Sequence, residues 1–167
     1  MVTGGGGIVE GEGGSQLVIP EGALPYPSVV KMTLVDPLTL EGEYPAGAAL
    51  AAAVDIDASG IDFRREVEFS IPVPSDMPEG AKPFLARPYR HVNADGTVEN
   101  LYEIIDTMKI IDGRITTASP PFDGIMEMGI YTVFYMMDTQ NTELVIWGYT
   151  YWAVSYTHLR AHETKAN

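Results

Sequence analysis

The chain has no cysteine in 167 residues. That excludes a disulfide framework, thiolate metal sites and a thiol nucleophile together, and it leaves the redox compartment open. Basic residues are scarce, at 10 Lys and Arg against 23 Asp and Glu, giving a net charge of −13. A surface so acidic repels phosphate backbones and anionic headgroups, so the partners expected here include no nucleic acid. No apolar run reaches membrane-span length: the longest candidate, LVIWGYTYWAV, holds only 11 residues, so no membrane insertion is expected. Histidine is nearly absent as well. With His158 and His162 near the end of the chain, His91 stands by itself beside an Asn-Ala-Asp-Gly turn, where one imidazole makes neither a triad nor a zinc site.

What the chain does contain is 46% apolar residues, ample for one cored domain, and a dense punctuation of turn signals. SQLVI runs into PEGALPYP, VVKMTLV into DP, and VEFSIPVP into SDMPEG, while HVNADGTV, IIDGRI and SPPFDG carry Asp-Gly or proline-rich turns. Between the turns the residues alternate. Val67, Phe69, Ile71 and Val73 fall opposite Glu66, Glu68, Ser70 and Pro72, and Val30, Met32 and Leu34 fall opposite Lys31 and Thr33. Pro72 and Pro74 each remove a ladder donor, which predicts an edge strand or the end of a strand. MKIIDGRITT reads as a tight hairpin about Asp112-Gly113. The alanine-rich stretch 47–54 has helical composition, yet it is short for an unsupported helix and passes directly into VDIDASG, so a strand of small residues against a close neighbour is expected. The resulting expectation is an all-β fold, an antiparallel two-sheet sandwich in which each strand's apolar face is covered by a facing sheet.

The domain organisation follows. Residues 1–12 form a glycine-rich lead-in with GIVEG as a short edge strand, 13–137 the β domain, and 138–153 a linker and the first strand of a truncated following segment. Within residues 154–167, the stretch VSYTHLRAHET resembles one translated frame of the transposase adaptor used in preparing sequencing libraries, so that segment is set apart from fold reasoning. The four aromatics Trp147, Tyr149, Tyr151 and Trp152 are read as part of that following strand ahead of a sugar- or protein-binding platform.

GGSQLVIPEGAL joins a glycine pair, a short strand and an Ile-Pro-x-Gly-Ala corner. Together with FRREVEFSIPVP, IIDGRITTASPPFDG and GIYTVFYM in that order, it resembles the ZU-five domain, a β-sandwich module of netrin receptors, ankyrins and many bacterial surface proteins. The resemblance spans about residues 8–137 and lies nearest the bacterial branch. It implies an extracellular or cell-surface module of a long exported chain, with neighbouring domains of the same chain and other surface proteins as partners. Some ZU-five modules cleave themselves at a His-Phe-Ser sequence. The matching region here reads Pro121-Phe122-Asp123, without the nucleophile and its base, so the resemblance implies no such cleavage and a non-enzymatic module.

One motif points to a metal. Asp55, Asp57, Ser59 and Glu66 occupy the first, third, fifth and twelfth positions of an EF-hand-like spacing, with Gly60 at the sixth. The eighth position is Asp62 where an apolar residue is usual, and a strand pattern follows instead of a helix. A strand turning at Ser59-Gly60 is therefore the leading expectation, and a calcium site of another type using Asp55, Asp57 and Asp62 the alternative. Glu99, Glu103 and Asp106 could be arranged as a carboxylate pair for hydrolysis, but so acidic a chain generates such spacings by chance.

Overall fold

The computed structural model describes residues 1–2, 4–118 and 124–136. The expected turn at 119–123, with the Pro121-Phe122-Asp123 region, lies outside the described residues, as do the segments 138–153 and 154–167.

The fold is all-β and antiparallel. Its strands are β1 (Gly7–Glu10), β2 (Gln16–Ile19), β3 (Lys31–Leu34), β4 (Ala48–Asp57), β5 (Glu68–Pro72), β6 (Lys82–Val92), β7 (Val98–Ile111), β8 (Arg114–Thr117) and β9 (Gly129–Met136). They are hydrogen-bonded in one continuous order, β1-β2-β5-β8-β7-β6-β9-β4-β3, which curls until it nearly closes like a barrel. The continuity rests on β7. Its first part, Val98 to Thr107, pairs with β6, and its last part, Met108 to Ile111, pairs with β8. At the open seam, Gly11 lies so close to Met32 that a Cβ there would collide with it, and the Leu34 amide donates to a carboxylate oxygen of Glu12 at 2.9 Å.

The curl encloses one shared core. Leu17, Ile19, Phe69, Ile71 and Ile115 come from the β1-β2-β5-β8 half, and Met32, Val54, Ile56, Leu85 and Val133 from the other half. The opening corner works as its chemistry suggests: β2 stops at Ile19, the Gly22 amide donates to the Gly4 carbonyl, and Ala23 and Leu24 turn back into the core. The Asp112-Gly113 hairpin is also present, with both residues at positive φ (50° and 75°), the handedness that matches the twist of the flanking strands.

The alanine-rich stretch is strand β4, and its small residues lie opposite the bulky ones of β9: Ala48 opposite Met136, Ala49 opposite Tyr135, Ala52 opposite Val133. Small beside large in these cross-strand pairs leaves the bulky β9 side chains room on each face of the sheet. The prolines do not mark a sheet edge. β5 is an interior strand between β2 and β8, but its ladder with β2 runs only from Glu68 to Ser70, so Pro72 sits beyond that ladder and faces only β8. The strand-end reading is the one that fits.

The sequence gives little hint that the β6-β9-β4 half is buried on both faces. On its outer face a second cluster forms from Phe84, Ala86, Ile104, Phe134 and Met136, with Leu50 and Tyr102 against it. Tyr44, from the segment between β3 and β4, meets Phe134 and Tyr102 edge-on at centroid distances of 5.3 and 5.9 Å. Two bulges allow both faces to be apolar, one at Ala51 in β4 and one at Ile105 in β7. Each reverses the alternation. Tyr102 and Ile104 point to the outer cluster before the bulge, and Met108 points to the shared core after it.

Two outcomes follow in chemical denaturation. Phe69→Ala, truncating a ring with no exposed surface, lowers stability by about 3–5 kcal/mol. Tyr102→Phe removes a hydroxyl enclosed without a hydrogen-bond partner among the described residues, and it leaves stability unchanged or raises it by up to about 1 kcal/mol.

Candidate interaction surface

The β6-β7 hairpin is longer than the sheet that supports it. β6 pairs with β9 only as far as Ala86 opposite Thr132, whereas its pairing with β7 continues to Val92 opposite Val98. Beyond Ala86 the two strands therefore form an arm. β9 meanwhile continues along β4 through Tyr131, Ile130 and Gly129, so a fork opens between the arm and β9.

At the root of the fork stands Arg87. Its guanidinium lies 5.9 Å from the centre of the Tyr131 ring and forms an ion pair with Glu127. The Tyr131 hydroxyl donates to the Glu127 main-chain carbonyl at 2.8 Å. Glu103 is the cross-strand partner of Arg87. Burial disfavours the charge on Arg87, but the hydrogen bond and ion pair with Glu127, together with Tyr131 and Glu103, outweigh it and raise its pKa. Burial dominates at Tyr131 and pushes its hydroxyl up to about 12. The segment carrying Glu127 is tied across the end of the curl: Phe63 donates to the Met126 carbonyl at 2.8 Å, Val67 and Ile125 exchange a pair of 2.9 Å backbone bonds, and the Met128 amide donates to Asp62 at 3.2 Å.

Along the arm, Tyr89 pairs across to Leu101 and His91 to Glu99, and alternation sets these four on the same face as Arg87 and Glu103. Tyr89 and Leu101 are 48% and 43% exposed, and the Tyr89 ring lies 6.1 Å from that of His91. The opposite face is partly covered: Glu41 accepts from Asn100 at 3.0 Å and Tyr44 packs on Tyr102. At the tip the Asn93–Thr97 turn is well braced. Asp95 accepts from the Thr97 hydroxyl and amide at 2.6 and 2.9 Å, which lowers its pKa. The arm thus combines a fixed backbone with an exposed aromatic-aliphatic pair ringed by charges of both signs, a composition suited to protein contact.

The residues singled out for calcium fall along a strand and the loop after it. Asp55 and Asp57 are exposed on one face of β4, opposite Thr33 and Lys31. Asp57 accepts from the Ser59 amide at 2.7 Å in a turn where Ser59 has φ 61°, Asp62 is engaged by Met128, and Glu66 is half-buried just before β5. No helix flanks them, and among the described residues no group of three or more His, Cys, Asp or Glu is gathered in a form that could hold a metal ion. The three imagined hydrolase carboxylates are separated: Glu99 and Glu103 are exposed on the arm, and Asp106 is buried in the core. The residues that sequence reasoning passed over are Arg87, Tyr89 and Tyr131. For Arg87 and Tyr89 the available signal was the proline in RPYRHV, which marks strand without a ladder partner on one side.

No family model and no characterised protein matches this sequence.

Because the folded state holds the Tyr131 hydroxyl's pKa near 12 against an ordinary value of 10, the native state favours the protonated phenol. Its contribution is fully present below pH 10 and is lost as the pH rises from 10 through about 12. Denaturation midpoints measured across that window fall for the wild type, and fall less steeply for Tyr131→Phe.

Proposed function

We propose that the chain is a non-catalytic module of a large exported bacterial surface protein, a ZU-five-like β-sandwich acting as spacer and contact element through the β6-β7 arm. The observation that carries this reading is the arm itself: a two-stranded ribbon reaching past its sheet, with Tyr89 and Leu101 side by side and nearly half exposed. Exposed apolar side chains set singly on a surface are unremarkable, but a cross-strand pair on a projecting ribbon supplies contiguous contact area.

The ZU-five resemblance adds to it. Each segment that carries it coincides with a described element, at least in part: the Ile-Pro corner follows β2, FSIP is in β5, the Asp-Gly hairpin joins β7 and β8, and GIYTVFYM is β9. The sandwich reading draws on the way β7 divides the strands into two halves around one core. The non-catalytic reading draws on the spread of the arm's carboxylates and its lone imidazole, which among the described residues bring no acid, base and nucleophile of the arm to one point. Partners on this reading are neighbouring domains of the same chain and other surface proteins.

The test is photo-crosslinking. A benzoylphenylalanine at position 89 in the native host captures a neighbouring domain or surface protein, whereas the same probe at exposed Thr33 on β3 does not. Equal capture at both positions defeats the contact assignment. Replacing Tyr89 and Leu101 with serine abolishes capture while changing stability by no more than about 0.5 kcal/mol for each exposed site. Turnover of glycan or peptide substrates by the purified chain would overturn the non-catalytic reading.

A further inference from the structure

The arm has an edge as well as a face. Asn93 donates to the Thr97 carbonyl at 2.8 Å, so its backbone points across to β7. The register with β7 runs unbroken from Ala86 to Val92, and backbone direction alternates along a strand. His91, Tyr89 and Arg87 are thereby directed to β7, and Pro88, Arg90 and Val92 the other way. The root of the arm agrees: the Ala86 carbonyl faces β9, where it accepts from the Thr132 hydroxyl at 3.0 Å. Past Ala86, no strand among the described residues pairs with β6 on that side. The carbonyl of Pro88 and both backbone groups of Arg90 and of Val92 therefore stand along an open ladder. Pro88, with no amide to offer, takes the position nearest the root.

β6 is also locally basic in an acidic molecule. It carries Lys82, Arg87 and Arg90 and no Asp or Glu, in a chain with 23 acidic residues against 10 basic ones. Arg87 is met by Glu127 and Glu103, and Glu99 lies across from His91. Arg90 lies across from Asn100, whose amide is bound to Glu41, and it has no ion pair among the described residues. An uncompensated, exposed cation thus sits at the middle of the open edge, on the face opposite Tyr89.

We infer that this edge takes up an extended, acidic segment of a partner protein as a third strand of the arm. This deepens the contact reading given above and rests on it. The segment's backbone pairs with Arg90 and Val92, main-chain bonds supplying affinity and alternate side chains specificity. A carboxylate opposite Arg90 meets the free guanidinium, and an aliphatic residue one place along falls beside Tyr89 on the other face. The segment that fits therefore alternates acid with aliphatic. A second copy of the chain fits poorly. Antiparallel pairing that matches Pro88, Arg90 and Val92 of two such edges sets Arg90 against Arg90, and two chains of net charge −13 repel each other.

The test is amide exchange followed by NMR on the full chain at low salt, where exposed charge pairs are least screened. The probe is a short peptide of alternating valine and glutamate, blocked at both ends. The Arg90 and Val92 amides exchange fast in the free protein and become protected when the peptide is added. Those of Tyr89 and His91, already in the β7 ladder, do not change. The same peptide N-methylated at two successive central residues, which interrupts both its edges, protects neither. Lysine in place of glutamate weakens binding, and Arg90→Gln weakens binding of the glutamate peptide by about threefold, the scale of one exposed ion pair. Val92→Pro removes an edge donor, as Pro88 already does, and lowers affinity by about fivefold, the scale of one backbone hydrogen bond. Absent protection at Arg90 and Val92, equal binding of the lysine peptide, or unchanged affinity in Val92→Pro overturns the inference. Protection that grows with protein concentration in the absence of peptide gives the edge to a second copy and overturns it as well. If the edge fails while the probe at position 89 still captures its neighbour, the contact face stands without the added strand; if that capture also fails, the contact reading of the arm falls too.

Discussion

One strand must satisfy two sets of neighbours, and the architecture depends on its doing so. β7 is 14 residues long, the longest strand among the described residues, and its backbone groups are shared between β6 and β8. Buried amides and carbonyls need partners, so a strand that leaves one ladder has to enter another at once. The Ala118 amide donating to the Thr107 carbonyl at 3.1 Å carries the second ladder right up to the end of the first. That continuity keeps the two halves of the sheet in fixed relation and lets a single core of Leu17, Phe69, Leu85 and Val133 form between them.

The bulge at Ile105 sets which face of β7 is apolar along its length. Without it, a strict period of two would send Met108 to the same side as Tyr102 and Ile104, and the shared core would lose a side chain to the outer surface. The bulge at Ala51 does the same for β4: Ala48 and Leu50 face the outer cluster, and Val54 and Ile56 the core. Both faces of this half then carry apolar side chains, and the segment bearing Tyr44 is drawn over the outer one. A loop that would otherwise be a long excursion between β3 and β4 becomes a cover for Phe134 and Tyr102.

The same geometry leaves two places where the sheet gives out. At the fork, β9 follows β4 and abandons β6, and the gap is spanned by Arg87 with Glu127 and Tyr131 in place of a ladder. Side-chain bridging of this kind, with Glu127 largely in water, contributes less than the backbone bonds it replaces. The arm beyond it is held by its own pairing and by a braced tip, and it keeps Tyr89 and Leu101 outside the core. After β3, the chain drops out of the sheet at Asp36 and the orphaned carbonyl is taken up by Thr39. A turn that has lost its ladder thus satisfies its oxygen with local donors.

The sequence by itself determined the strand character, the turns and part of the core. Period-two alternation at Phe69 and Ile71, Asp-Gly chemistry at Asp112, and the Ile-Pro corner act over a few residues, so they are legible without knowing what lies across the sheet. The strand nature of the alanine stretch was legible too, from its continuation into VDIDASG. What only the tertiary structure decided was pairing and face: that β5 is interior despite Pro72, that one half of the sheet is buried on both sides, and that β6 outruns β9 to free the arm. Asp55 through Glu66 were legible in the same local way: the strand expected to turn at Ser59-Gly60 is β4, with Asp55 and Asp57 exposed along it and Ser59 and Gly60 at positive φ just after it. Pairing joins residues far apart in the chain, and a bulge of one residue reverses every face that follows it; neither is encoded within any short window.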